Sequence, residues 1–285
     1  MAIVTPFRSD NSIDYPALEK VIEHVIAEGV QNIVSLGTTG ENATLSIEEK
    51  IQIVRFTIEK SGNRVPVVVG IGGNHTAEIV HQLQHFPLED AAAVLSVSPY
   101  YNKPSAEGLY RHYKAIAEAS PKPVVLYNVP GRTGRSIPVS TVVRLANDFE
   151  NIAGLKDASG DILYCMELVS RKPEDFTVVS GDDFLAMPQI ACGAEGVISV
   201  AANLFAEEVG DMVRHALNQN FQEARKIHYK LLPAVHSMFI ENNPAGVKAF
   251  LSLSGLIEEN LRLPLVPVQE TLKKQIASQL KTIRH

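Results

Sequence analysis

Ile152-Ala-Gly-Leu-Lys-Asp-Ala-Ser-Gly160 is the stretch whose reading decides the fold. It reads as a short buried strand that ends in a lysine and breaks at once into Asp157, Ser159 and Gly160. Side chains alternate along a strand, so Ile152, Gly154 and Lys156 share one face and Ala153 and Leu155 the other. In a closed barrel Lys156 would point inward near the carboxyl end of its strand, above only the hydrogen of Gly154. Burial disfavours the ammonium form, and a neutral amine is a nucleophile that forms a Schiff base with a ketone. A surface lysine at a strand-to-helix turn fits the same stretch, and the rest of the chain decides between the two.

Outward from this stretch, apolar β-branched runs recur at intervals of about 20 to 35 residues, each followed by a helix-like segment. The runs are 2–4, 32–36, 65–69, 91–97, 124–127, 152–156, 176–179 and 196–200. Amphipathic patterns at 15–27, 47–59 and 109–119 lie between them, and Ser46-Ile-Glu-Glu49 fits a capping box that opens the second. Strands alternating with helices imply a parallel sheet with right-handed crossovers. Eight such units with no ninth strand predict an α/β fold of the (β/α)8 TIM-barrel type. Past about Asn218 the pattern turns helical, at 221–239, 244–254 and 268–283, with a proline-bounded connection at 261–267. The expected organisation is a catalytic barrel over residues 1–218 and a C-terminal helical domain over 219–285.

Composition narrows the function classes. The chain has 285 residues, 45% hydrophobic and 20% charged, the profile of a globular domain of this size. A net charge of -6 and the lack of a Lys/Arg cluster argue against nucleic acid. Cys165 and Cys192 lie in apolar stretches without a CxxC spacing, as reduced cytosolic thiols do. No stretch approaches the roughly 20 apolar residues of a membrane span, and the start is too short in its apolar part for a secretory signal. The expectation is a cytoplasmic protein with no membrane contact.

Barrel enzymes carry their active sites at the carboxyl ends of the strands. Here those ends bring together Gly37-Thr-Thr-Gly-Glu41, Gly70-Ile-Gly-Gly-Asn74, Pro99-Tyr-Tyr-Asn102, Tyr127-Asn-Val-Pro-Gly-Arg-Thr-Gly134, Lys156-Asp157 and Ser180-Gly-Asp-Asp183. Gly37-Thr-Thr-Gly40 comes just before a helix, where N–H groups and hydroxyls suit a small carboxylate; an ordinary capped turn fits it too. Tyr127 shares the inward parity of Val125, as Lys156 does one strand on, so a phenol that passes protons can stand beside the amine. A barrel-filling tyrosine is the alternative. Arg132, in a glycine-flanked loop, is the one cation besides Lys156 expected at this mouth, and its guanidinium fork suits a second carboxylate; pairing with an acid at a subunit contact is the alternative. Gly70-Ile-Gly-Gly lacks the third glycine of a dinucleotide loop, because His75 stands there. His81 and His85 have a metal-capable spacing but lie on an outer helix without an obvious third ligand.

In their order, the 37–41, 99–102, 127–134 and 154–156 motifs and Gly196-Val-Ile-Ser199 resemble the dihydrodipicolinate synthase (4-hydroxy-tetrahydrodipicolinate synthase) branch of the pyruvate-dependent Schiff-base aldolases. The resemblance covers essentially the whole chain. It implies condensation of pyruvate with L-aspartate 4-semialdehyde, with no metal or organic cofactor, in a homotetramer of two tight dimers. It implies Lys156 as the Schiff-base lysine and Tyr127, Thr38 and Tyr101 as a proton relay, Tyr101 reaching in from the neighbouring subunit. It implies that Thr39 holds the pyruvate carboxylate, Arg132 the semialdehyde carboxylate, and that Gly181 and Ile198 line the pyruvate pocket through backbone groups. N-acetylneuraminate and 2-keto-3-deoxygluconate aldolases share the lysine and the tyrosine but generally differ where Arg132 stands. A keto-acid sensor on the same barrel would lose the lysine or the tyrosine, and a metal-dependent aldolase would lose activity in chelator.

Three departures from the family pattern stand out. Members usually carry several more residues ahead of the Ala2-Ile-Val-Thr-Pro6 stretch. An Asn-Pro-x-Pro-Val-Lys run is here Asn243-Pro-Ala-Gly-Val-Lys248, where Gly246 is expected to loosen a segment that proline would stiffen. Members inhibited by lysine tend to have histidine where Lys50 stands, while Asn74, Glu78 and Tyr100 match other parts of that allosteric site; a second ammonium there predicts weak lysine inhibition.

Overall fold

The computed structural model describes residues 1–283. In chain order the elements are α1 (Tyr15–Ala27), β1 (Ile33–Ser35), α2 (Ile47–Ser61), β2 (Val67–Gly70), α3 (Thr76–His85), β3 (Ala93–Val97), α4 (Ala106–Ala119), β4 (Val124–Asn128), α5 (Pro130–Thr133), α6 (Val139–Asp148), β5 (Ile152–Asp157), α7 (Ile162–Arg171), β6 (Thr177–Ser180), α8 (Ala186–Ala191), α9 (Ala206–Leu217), α10 (Phe221–Phe239), α11 (Ala245–Leu253) and α12 (Glu270–Ile283). Six strands form one sheet in the order β1 to β6, and the pairings from β2 onward are parallel. No helix among the described residues is long and apolar enough to cross a membrane.

Local signals account for the helix limits. Ser46 Oγ accepts from the Glu49 N–H at 3.2 Å while the Glu49 carboxylate accepts from the Ser46 N–H at 2.9 Å, the reciprocal pair expected of Ser46-Ile-Glu-Glu49. Gly62 at φ 56° then stops α2, in a left-handed conformation that glycine adopts without strain. Both α1 and α10 run over the residues their apolar periodicity predicts.

The chain divides into two compact units, Val68–Ile198 and Met1–Val67 with the chain from Ser199 onward. In the first unit Leu126, Leu155 and Val178 have no exposed surface, nor have Ile116 of α4 and Leu168 of α7. Each such side chain contributes about 1.5–3 kcal/mol on burial. One irregularity sets the register: Val124 pairs with Ile152 but Val125 with Gly154, so β5 carries an extra residue, Ala153. Without that bulge Tyr127 would stand opposite Leu155; with it Tyr127 stands opposite Lys156. The bulge requires glycine, because a Cβ on Gly154 would lie 2.5 Å from the Thr177 carbonyl oxygen.

The runs at 2–4 and 196–200 are shorter as strands than their apolar character predicts, each making a single parallel bridge, Ala2 to Val34 and Ser180 to Val197. In the second unit the Asn203 side chain explains the first of these. Its Oδ1 accepts from the Val4 N–H at 3.1 Å and its Nδ2 donates to the Ala2 carbonyl at 2.8 Å, replacing ladder partners with an amide. The Ala2 N–H donates to Ser199 O at 2.9 Å, after which the chain turns into Ala201–Asn203.

The structure corrects the expectation for Gly246. It lies inside α11, and a Cβ there would be 2.5–2.7 Å from backbone atoms of Met238 in α10. The glycine allows two helices to touch backbone to backbone rather than loosening the segment.

Candidate active site

Lys156 and Tyr127 are paired residues on adjacent parallel strands, and the Lys156 ammonium lies 4.3 Å from the centroid of the Tyr127 ring. Lys156 is only 5% exposed and Tyr127 is buried. Gly181, just beyond β6, forms the third side. An ideal Cβ on Gly181 would fall 2.8 Å from Lys156 Cε and 3.0 Å from Cγ, so the lysine stem runs across this glycine. The Gly181 N–H donates to the Asp157 carbonyl at 2.6 Å, and the Ile198 N–H to the Ser180 carbonyl at 2.8 Å. Both N–H groups are therefore spent on strand pairing. The groups Gly181 and Ile198 can present to a ligand are carbonyl oxygens, which suit a cation or a hydroxyl rather than a carboxylate.

The residue after the lysine faces the other way and holds the frame. Asp157 is fully buried and accepts from Gln189 Nε2 at 2.9 Å and from the Ser159 N–H at 3.0 Å. Burial pushes its carboxyl above the ordinary value, against the hydrogen bonds from Ser159 and Asn128 that favour the charge. Asn128, opposite Asp157 on β4, takes the Ile137 N–H on Oδ1 at 3.0 Å, and the Tyr164 hydroxyl donates to Ile137 O at 2.8 Å. The far end of the Arg132 loop is thus pinned to the strands that carry the phenol and the amine.

At the rim, Arg132 is exposed on α5, whose turn is closed by the Thr133 hydroxyl, which donates to Arg135 O at 2.8 Å with Val129 O also 3.2 Å away. Arg132 is not the one cation here. Arg135 donates to Pro104 O at 2.8 Å, and the Lys103 stem lies where a Cβ of Gly134 would be, 2.7 Å from Cε. Tyr101 is 91% exposed with φ 69°. Asn74 donates to Tyr100 O at 3.1 Å and Asn102 to Asn74 O at 2.9 Å, so Asn74 and Tyr100 are neighbours. Glu78 stands in the first turn of α3 and accepts from Gln82 at 3.0 Å. His81 and His85 stack at 4.1 Å on the exposed side of α3.

Thr38 and Thr39 belong to the other unit. Gly37-Thr-Thr-Gly40 precedes α2, as its position predicts, and residues 38–40 form a single 3₁₀ turn six residues before that helix starts at Ile47. The turn is gripped at three consecutive residues. Asn243 Nδ2 donates to Thr39 Oγ1 at 3.1 Å, and Thr5 Oγ1 donates to Gly40 O at 2.7 Å. Glu41, at φ 54°, buries its carboxylate against the Lys248 ammonium and accepts from the Arg262 N–H at 3.1 Å. Lys248 also donates to Asn260 O at 2.9 Å and stands 4.3 Å from the Phe7 ring centroid. Burial lowers the Lys248 ammonium to about 8, against the pull of Glu41. Lys50, in the first turn of α2, is half-buried.

The profile of the Dihydrodipicolinate synthetase family matches residues 1–283. The chain belongs to this family. A relative from Flavobacterium psychrophilum named 4-hydroxy-tetrahydrodipicolinate synthase is 47% identical over 276 residues, 97% of this chain and 94% of its own. One of the same name from Azobacteroides pseudotrichonymphae is 46% identical, over 100% of this chain and 96% of its own. The crystal structure of dihydrodipicolinate synthase from Aquifex aeolicus matches with a TM-score of 0.97 at 39% identity, over 100% of this chain and 97% of that one.

Within this member of the dihydrodipicolinate synthetase family, the structure brings together Lys156 and Tyr127, singled out by strand parity, and Gly181, singled out by the resemblance. Lys103, whose stem lies against Gly134, was not among the expected site residues. Nor was Asn243, the partner of Thr39. The Asn-Pro pair before an apolar helix marked the residue, but no local pattern links positions 204 residues apart.

Proposed function

We propose that this chain is a 4-hydroxy-tetrahydrodipicolinate synthase that condenses pyruvate with L-aspartate 4-semialdehyde. The observation that carries this is the buried Lys156 amine set over the Tyr127 ring, in a chain similar along its whole length to proteins of that name. Lys156 Nζ attacks the pyruvate ketone, and loss of water leaves an iminium. Loss of a methyl proton gives the enamine, whose carbon adds to the aldehyde while Tyr127 supplies the proton that the alkoxide takes up. The substrate amine then adds at the imine carbon, expels Lys156 and closes the ring. The lysine iminium is itself the electron sink, so the steps call for no metal or organic cofactor.

In this reading Thr38 and Tyr101 complete the proton relay, Thr39 holds the pyruvate carboxylate and Arg132 the semialdehyde carboxylate. The carbonyls of Gly181 and Ile198 face the iminium. The exposure of Tyr101 suits an aromatic that enters a partner's site, in a tight dimer that pairs into a cytoplasmic homotetramer. The sheet closes as a (β/α)8 barrel through the run at 196–200, and 219–283 is a helical appendage; the bridge of Val197 to Ser180 and the hydrogen bond from the Ala2 N–H to Ser199 O support the closure. The neighbouring Asn74 and Tyr100, with Glu78, match an effector site of the family, and an ammonium at the position of Lys50 would weaken lysine binding; half-inhibition at low micromolar lysine would refute that part.

Borohydride treatment with and without pyruvate, followed by mass mapping, tests the reading. A pyruvate-dependent adduct on Lys156 is expected, and an unmodified Lys156 overturns it. Product analysis with the semialdehyde, set against cleavage of sugar acids, separates the synthase from its sister aldolases.

A further inference from the structure

Thr39 and Asn243 are 2% and 6% exposed, so neither side chain has bulk water to pair with. Their hydrogen bond has a fixed direction. An amide N–H can only donate, so Thr39 Oγ1 is the acceptor at 3.1 Å. A hydroxyl has a single hydrogen. With one lone pair taken by Asn243, that hydrogen points away from the amide, toward whatever acceptor lies on the other side.

We infer that Asn243 is a positioning residue for substrate recognition: it sets the polarity of the Thr39 hydroxyl, turning it outward as a donor to the carboxylate of the keto acid. The inference rests on the proposed function and extends it to a residue outside the catalytic motifs. A donor already aimed at the anion needs no reorientation when the substrate arrives, which is where preorganised hydrogen bonds gain their advantage over water. A free hydroxyl would split its time between donating and accepting.

Neighbouring contacts hold both partners in place. Asn243 is followed at once by α11, in which Lys248 reaches the Glu41 carboxylate two residues beyond Thr39. The Lys248 N–H donates to Pro244 O at 3.0 Å and the Gly246 N–H to Asn242 O at 3.0 Å, so the segment bearing Asn243 is tied into the start of that helix. One segment therefore grips the turn twice, through a neutral amide at residue 39 and through an ion pair at residue 41. Thr5 holds the carbonyl of the residue between them. The turn cannot rotate to restore the Thr39 hydroxyl if its amide partner changes.

The test uses the full chain and pyruvate as the probe. Borohydride trapping on Lys156 is measured against pyruvate concentration, giving a half-saturating concentration and a plateau rate. Asn243→Asp replaces the donor by an acceptor, draws the Thr39 hydrogen inward and adds a negative charge. The half-saturating pyruvate concentration should rise roughly tenfold or more, the size of a lost charge-assisted hydrogen bond, with the plateau nearly unchanged. Asn243→Ala should raise it by a smaller factor. In a Thr39→Val background, Asn243→Ala should add nothing, because the group it orients is gone. A merely structural role would lower the melting temperature of all three variants without this ranking. Half-saturation within about twofold of the parent (0.4 kcal/mol) in both single variants, or an undiminished effect of Asn243→Ala in the Thr39→Val background, overturns the inference. If Asn243→Asp fails to fold, the Ala variant and the double variant decide. A parent that gives no adduct on Lys156 refutes the proposed function and takes this inference with it, whereas an adduct with unchanged pyruvate dependence refutes the inference alone.

Discussion

Gly181→Ala is the smallest change that should disable the amine while leaving the fold intact. The added Cβ would lie 2.8 Å from Lys156 Cε, 3.0 Å from Cγ and 2.9 Å from Ala158 Cβ. Carbon atoms in contact rest about 3.5–4.0 Å apart, so the overlap amounts to roughly 0.5–1.2 Å on the lysine stem. The backbone at Gly181 cannot easily retreat, because its N–H is bonded to the carbonyl of Asp157, the residue next to the lysine. Nor does the substitution strain the backbone, since Gly181 is not among the positive-φ glycines. The stem therefore gives way and carries the nitrogen with it, away from its place 4.3 Å from the Tyr127 ring centroid. A displacement of about 1 Å at a reacting atom costs on the order of 100-fold in rate. Overpacking should cost about 1–3 kcal/mol of stability. Borohydride trapping at saturating pyruvate, with steady-state kcat and thermal melts beside it, separates the two effects. A Gly181→Ala enzyme that traps pyruvate within about threefold of the parent rate (0.65 kcal/mol) would show that this glycine does not set the position of Lys156.

Two further predictions concern buried titratable groups. Burial lowers His112 to about 4; its Nδ1 pairs with Thr76 Oγ1 at 2.8 Å, and its Nε2 finds no partner among the described residues. The unfolded chain takes up the proton near pH 6.5 and the folded chain resists it, so stability falls as pH drops below about 6.5 and levels off near 4, by about 3 kcal/mol in all. His112→Gln should remove that part of the acid dependence, measured by urea unfolding across this range, and an unchanged pH slope refutes it. Lys248→Met leaves the Glu41 carboxylate buried without its ammonium and should cost about 3–5 kcal/mol, while Glu41→Leu with Lys248→Met should recover much of the loss; equal stability of the single variant and the parent in urea melts sinks this.

How much of this was legible differs from element to element. The limits of α1 and α10 follow from apolar periodicity, and the start of α2 from its capping box, because these are local signals within a few residues. Pairing register is not local. That Tyr127 faces Lys156 rather than Leu155 depends on one extra residue in β5, and only the close approach of Gly154 to Thr177 O reveals why it is tolerated. The weak first strand is another such case, since Asn203 supplies the bonds of a ladder from far along the chain. Gly246 misleads for the same reason: glycine reads as looseness in one dimension, and its use against Met238 is visible only when α10 and α11 are packed.

The two residues that end β5 divide the work of the strand between its faces. Asp157 faces a polar setting in which its carboxylate is satisfied by Gln189, Ser159 and Asn128, and those bonds reach through Ile137 to the Arg132 loop. Lys156 faces the opposite way, onto an aromatic ring and a glycine. A lysine locked into a tight ion pair would have to break it before attacking a carbonyl. A lysine guided by an aromatic face and a bare Cα is held in place by shape and keeps its nitrogen available to react. Putting the hydrogen bonds on residue 157 and the steric guide on residue 156 lets the strand be rigid and the amine reactive at once. Asp157→Asn should therefore disturb stability and the Arg132 loop more than imine formation, the reverse of the pattern expected for Gly181→Ala. Trapping rates and urea melts on the two variants compare these effects directly, and similar profiles would mean that the two faces are not separate.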